Sequence, residues 1–189
     1  MSRLVQVLYP SNQLTLLRLI FIPFIILSIH YGQPATAFVL VLIAGISDAM
    51  DGLIARHLRQ QTTIGTFLDP IADKLLLSAC FVTLGVERQL PVWLVILVLS
   101  RDGIILATGL VMILTTPIRK FSPSIYGKVN TWALVLTILL TLLIAVYPVR
   151  ELRWLQQLGI YSAAAFTVIS GLHYAFSTAE RLRGVERDS

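Results

Sequence analysis

The feature that most constrains this chain is a series of six runs of about 20 mostly apolar residues, separated by connections of a few to about ten residues. As a helix, 20 residues at about 1.5 Å each reach roughly 30 Å, the hydrocarbon thickness of a bilayer. The runs lie near residues 12–31, 34–56, 66–86, 91–116, 126–148 and 154–176, and because the last is the least hydrophobic a count of five stays open. In lipid every backbone N–H and C=O must be satisfied within the protein, so the runs predict an all-α integral membrane protein, a six-transmembrane-helix bundle. Short connections and the lack of an internal repeat make residues 1–189 a single membrane domain. Composition agrees: 56% hydrophobic against 13% charged residues, with a mean hydropathy of +0.80, excludes an ordinary soluble domain.

The net charge of +5 raises the question of nucleic acid, but the bases are scattered between apolar runs and form no stripe, so no nucleic-acid partner is expected. Their distribution is instead a topology signal. With the N-terminus inside, that side receives Arg3, Arg56, Arg59, Arg119, Lys120, Lys128, Arg181, Arg183 and Arg187, against Arg88, Arg150 and Arg153 outside. Both termini are therefore expected in the cytoplasm. Residues 19–29 with Ala35-Thr36-Ala37 offer a signal-peptide alternative, disfavoured because the small residues run straight into the next span. Cys80, the single cysteine, excludes a disulfide framework and a cysteine metal site. Trp93, Trp132 and Trp154 near span ends read as interfacial anchors, Pro23 as a kink in the first span, and the separated His30, His57 and His173 as no metal site.

The acids carry the chemistry. Asp48, Asp51, Asp69, Asp73 and Asp102 lie in or beside apolar spans, as do the bases Arg18, Lys74 and Arg101, which need partners or a wet cavity. At 100° per residue Asp48, Asp51, Gly52 and Ala55 share an arc of roughly 100°, while Gly65, Asp69 and Asp73 stack at spacings of four on the next span. The two spans are expected to be antiparallel neighbours, converging four carboxylates on one pocket. Asp48 precedes Arg56 by eight residues, about 12 Å of helix, which sets the pocket below the cytoplasmic surface.

An Asp at mid-membrane costs roughly 2.5–3.5 kcal/mol, so four approach about 10 kcal/mol before mutual repulsion. Two hard divalent cations, Mg²⁺ or Mn²⁺, offset that charge and still accept a diphosphate, and Gly52 and Ala55 let a nucleotide approach the backbone. The competing reading is a proton or cation pathway, as in a small transporter, or acids neutralised structurally by Arg56, Lys74 and Arg101.

From Asp48 to Asp73 the chain matches D-x2-D-G-x2-A-R-x8-G-x3-D-x3-D without a gap, the signature of the CDP-alcohol phosphatidyltransferases, which it resembles. Asn12-x-x-Thr15-x-x-Arg18 is similar to the family's N-terminal segment. The resemblance implies that Asp48, Asp51, Asp69 and Asp73 hold two divalent ions, with Asp73 also the general base. It places Gly52, Ala55, Arg56 and Gly65, with Asn12 and Thr15, around the CDP moiety. The implied reaction is attack of an alcohol on the lipid-bearing phosphate of CDP-diacylglycerol, with CMP leaving, in a homodimer whose active site faces the cytoplasm.

For the acceptor, Ser100-Arg101-Asp102-Gly103 and Gly127-Lys128-Val129-Asn130-Thr131 are the informative segments. Asp102 and Asn130 stand where the phosphatidylglycerophosphate synthases tend to show glutamate and lysine, and both segments resemble the cardiolipin synthases more. A glycerol-based acceptor, glycerol 3-phosphate or phosphatidylglycerol, is expected; inositol phosphate and serine remain alternatives. Arg101 and Lys128 are the candidate acceptor contacts, the alternative being an Arg101–Asp102 structural network and an interface-anchoring Lys128. The role of Asp102 stays open. No transit peptide precedes the first span, which points to a bacterial inner membrane.

Overall fold

The computed structural model describes residues 10–58, 63–115 and 125–187, with side-chain surroundings for 16–47, 71–108 and 125–176. It is all-α, with six helices: α1 Pro10–His30, α2 Pro34–Leu58, α3 Thr63–Val86, α4 Val92–Thr115, α5 Ile125–Val146 and α6 Arg150–Arg187. Each coincides with one expected span to within a few residues except α6. That helix has 38 residues and continues well past residue 176, because the chain there becomes polar without a proline to stop it. Pro23 lies inside the continuous α1.

Side-chain pairs fix the direction of each helix. Arg18 meets Asp73 and His30 meets Glu87, so α1 and α3 run parallel; Arg101–Ser170 and Trp93–Tyr161 make α4 and α6 parallel. Asn130–Thr167 and Thr137–Gly159 rise on α5 as they fall on α6, an antiparallel pair. The result is an up-and-down bundle. The connections at 31–33, 87–91 and 147–149 gather at one end, where His30 Nδ1 lies 2.8 Å from Glu87 and the Gln156 amide donates to the Gln89 carbonyl at 3.3 Å.

At that end α1 and α3 finish alike. Gln33 N–H donates to Ser28 C=O at 2.8 Å and Gln89 N–H to Leu84 C=O at 2.8 Å, the six-to-one bond of a Schellman cap. The left-handed residue this requires is Gly32 (φ 67°) after α1 but Arg88 (φ 57°) after α3.

α1 packs against both α2 and α3, and so does α5, while α4 bridges α3 and α6. Among the described residues α2 and α3 share no broad contact; the facing ends that the expectation of antiparallel neighbours concerns, residues 48–70, have side-chain surroundings outside the described residues. Where α1, α2, α3 and α5 meet, the interior is filled by Ile25, Val41, Leu76, Phe81 and Ile138, all buried.

Polar and small residues bind α5 to α6. Thr137 donates to the Gly159 carbonyl at 3.0 Å, and a Cβ on Gly159 would lie 3.3 Å from that hydroxyl. Close approach at small residues is how helices associate where lipid removes the hydrophobic drive. The outside is apolar on every helix: Phe24, Ile46, Leu75, Ile96, Leu136 and Leu158 are exposed. Ile125–Val146 and the Arg150–Phe176 part of α6 are long and apolar enough to cross a membrane, and Leu16–His30 and Pro34–Ser47 are shorter apolar helices.

Candidate active site

α2 carries Asp48, Asp51, Gly52, Ala55 and Arg56 on its last three turns, and α3 carries Gly65, Asp69 and Asp73 on its first three. Both segments are continuous helix, so the three- and four-residue spacings do place each set on one face. The side chains of Asp48, Asp51, Gly52, Ala55, Arg56, Gly65 and Asp69, with Asn12 and Thr15 on α1, lie outside the described residues. Among the described residues no three His, Cys, Asp or Glu side chains cluster.

Asp73 is described, and its setting is informative. Arg18, only 3% exposed in the middle of α1, donates from Nη1 to Asp73 Oδ1. This supplies the partner that a buried guanidinium within a span requires. The Asp73 side chain nevertheless remains 40% exposed, so the carboxylate opens onto space that the described protein does not fill.

The next residue of α3, Lys74, donates to Asp102 Oδ1 of α4 at 2.9 Å. Arg101 donates from Nη1 to the same oxygen at 2.6 Å and from Nη2 to Ser170 of α6 at 2.6 Å. Two cations thus share one anion, and the cluster ties three helices together beside Asp73. Its members are largely withdrawn from water, the Asp102 side chain being 11% exposed. Arg18, Lys74 and Arg101 therefore each find a carboxylate partner. The Arg101–Asp102 network anticipated from sequence is present, and Lys74 and Ser170 extend it.

Asn130, fully buried on α5, accepts a 2.9 Å hydrogen bond from Thr167 of α6 through Oδ1. Its amide Nδ2 has no partner among the described residues, nor has Arg101 Nε. An unsatisfied buried donor costs about 1–3 kcal/mol, so these groups are held at a disadvantage in the absence of another acceptor. Lys128 is exposed near the start of α5 and does not join this network. His30 pairs with Glu87 and His173 lies against Tyr126, with ring centroids 4.8 Å apart, so neither approaches the Asp73 region through its described contacts.

Thr167 and Ser170 were not singled out by sequence. The only signal for them was indirect: Arg101, a base inside a span, demanded polar neighbours, and α6 is the span least hydrophobic overall.

Residues 8–169 match the family model of the CDP-alcohol phosphatidyltransferases. The chain is 35% identical over 146 residues to the Bacillus subtilis protein named CDP-diacylglycerol--glycerol-3-phosphate 3-phosphatidyltransferase, covering 77% of this chain and 74% of that one. It is 30% identical over 186 residues to a probable phosphatidylglycerophosphate synthase of Mycobacterium tuberculosis, covering 94% and 85%. A probable CMP-forming cardiolipin synthase of Drosophila melanogaster is 32% identical over 191 residues, covering 90% of this chain and 59% of the relative. With the signature residues on α2 and α3 in unbroken helical register and a match over most of its length, the chain belongs to the CDP-alcohol phosphatidyltransferase family of membrane enzymes.

Proposed function

We propose that this enzyme transfers the phosphatidyl group of CDP-diacylglycerol to a glycerol-based, phosphate-bearing acceptor, glycerol 3-phosphate or phosphatidylglycerol, and releases CMP. The observation that carries the choice of acceptor is the excess of cation at Lys74–Asp102–Arg101, directly beside Asp73. An acceptor phosphate there would be attracted by the uncompensated charge, whereas serine brings no phosphate to use it. The glycerol-based acceptors named for the bacterial relatives favour glycerol over inositol. Asn130 Nδ2 and Arg101 Nε are further donors that a bound acceptor's oxygens would satisfy.

The hydroxyl oxygen of the acceptor attacks the lipid-bearing phosphorus, the P–O bond to CMP breaks, and the hydroxyl proton passes to Asp73. Arg18 holds the Asp73 carboxylate in place for that transfer. Gly52, Ala55 and Gly65, with Asn12, Thr15 and Arg56, would accommodate the CDP moiety, Arg56 countering phosphate charge. Enzymes of this family use divalent metal ions, and hard carboxylate oxygens from Asp48, Asp51, Asp69 and Asp73 suit Mg²⁺ or Mn²⁺. Two such ions, when bound, would neutralise the diphosphate and the departing CMP phosphate.

We read all six helices as membrane-spanning, with the connection at 59–62 on the cytoplasmic side of a bacterial inner membrane. Nine bases on that side against three on the other support the orientation. As in the family generally, a homodimer is proposed. The test is CMP release from CDP-diacylglycerol with each acceptor supplied separately and the lipid product identified. A product formed only with serine would refute the phosphate-bearing acceptor.

A further inference from the structure

The connection between α5 and α6 holds a cavity of about 470 Å³ lined by Pro148, Arg150, Arg153, Trp154 and Gln157. It lies some 20 residues along α6 from Ser170, roughly 30 Å at 1.5 Å per residue, so it is separate from the catalytic region. Arg150 and Arg153 are exposed, and neither is ion-paired among the described residues. Glu151, the one acid in this turn, is exposed and does not line the cavity. Two of the three bases on the side of the bundle where bases are scarce therefore converge on one hollow.

Below the hollow the same helix face turns apolar. At 100° per residue Arg150, Trp154, Leu158 and Tyr161 fall within an arc of about 80°. Trp154, Leu158 and Tyr161 are each about two-thirds exposed (66%, 67% and 67%). Trp93 of α4 stacks on Tyr161 with ring centroids 6.4 Å apart and widens the lane. From Arg150 to Tyr161 the helix rises about 16 Å, close to the hydrocarbon depth of one leaflet, half of about 30 Å. A soluble anion would use the arginines alone; the apolar lane in line with them fits acyl chains.

We infer that this face binds an anionic phospholipid of the leaflet opposite the active site, its phosphate between Arg150 and Arg153 and an acyl chain along Trp154, Leu158 and Tyr161. The charge complementarity favours an anionic lipid over a second copy of this chain, whose own face here would carry the same arginines.

The test uses the purified full-length enzyme in neutral detergent, titrated with phosphatidic acid, an anionic lipid that is not one of the proposed acceptors, or with phosphatidylcholine, each carrying brominated acyl chains, and reads quenching of tryptophan fluorescence. Trp93 and Trp154 border the proposed site, while Trp132 near the start of α5 reports background. The expected result is half-maximal quenching at a lower concentration of the anionic lipid. Each arginine near a membrane surface contributes about fivefold in affinity, so Arg150→Gln with Arg153→Gln is expected to abolish a preference of roughly 25-fold. Arg88→Gln removes a charge from the same side outside the cavity and is expected to keep the preference.

Equal quenching by both lipids in the unmodified enzyme overturns the inference, as does a double variant that keeps the preference. Displacement of the lipid by inorganic phosphate at equal concentration would assign a simple anion site and overturn the lipid. A double variant that changes oligomeric state while keeping lipid selectivity would assign the face to a second copy.

Discussion

Asp102 offers the sharpest test of the packing around the site. It is the single anion between Lys74 and Arg101, at 2.9 and 2.6 Å. Asp102→Asn preserves shape and removes the charge, leaving two cations facing each other with little water. Breaking a buried ion pair by removing one partner costs about 3–5 kcal/mol. Because the Lys74 side chain is 30% exposed and partly solvated, the lower end applies, about 3 kcal/mol. For a chain of this length each kcal/mol shifts Tm by about 2–4 °C, so the expected drop is roughly 6–12 °C. Lys74→Met is expected to be milder, because it leaves the 2.6 Å Arg101–Asp102 pair neutral and intact; about 1 kcal/mol, or at most about 4 °C, is the expected loss. Thermal unfolding in one detergent, followed by tryptophan fluorescence, measures both variants. If Lys74→Met lowers Tm more than Asp102→Asn, or Asp102→Asn lowers it by less than about 2 °C, the shared-anion reasoning is wrong.

Other variants address the chemistry and the caps. Asp73→Asn is expected to retain CDP-diacylglycerol binding while CMP release falls about 10²–10⁴-fold, the usual contribution of a positioned base, and Asp48→Asn to lose both; wild-type CMP release from Asp73→Asn would remove Asp73 from that role. Asn130→Leu eliminates a buried amide whose Nδ2 has no partner among the described residues, and Thr167, released from Asn130 Oδ1, can turn to the carbonyl one helical turn back. Its Tm is expected to hold or rise while turnover falls at least about tenfold, measured by unfolding and CMP release together; a lower Tm with unchanged turnover would make Asn130 a purely structural residue. Arg88→Gly should relieve a left-handed residue at the end of α3 and raise Tm by about 2–4 °C, one kcal/mol's worth, without altering CMP release; an unchanged or lower Tm would count against that cap as a point of strain.

Much of the fold was legible because six apolar runs of similar length, separated by short connections, leave few alternatives to a six-helix all-α chain. The end of α6 was not, since a scan for apolar residues stops near residue 176 whereas the helix needs only the absence of a proline. The four signature aspartates could be placed on helical faces from spacing alone. Their relation across the bundle could not, because helix register says which residues share a face and not which helix that face meets. Arg18, Lys74 and Arg101 announced a need for partners through the cost of burying charge. Naming Asp73 and Asp102 as those partners required knowing that α1 runs beside α3 and that α3 meets α4. The Asn130–Thr167 contact was invisible for the same reason, as two neutral polar residues in separate apolar runs carry no mutual signal.

Phosphatidyl transfer to a phosphate-bearing glycerol acceptor is proposed at the signature carboxylates of α2 and α3. It is tested most directly by incubating the purified enzyme with CDP-diacylglycerol and Mg²⁺ or Mn²⁺, adding glycerol 3-phosphate, phosphatidylglycerol, inositol phosphate or serine in turn. Metal-dependent CMP release, with a new lipid formed from glycerol 3-phosphate or phosphatidylglycerol, is the expected result. CMP release that survives complete chelation of divalent ions, or a lipid product with serine alone, would contradict it.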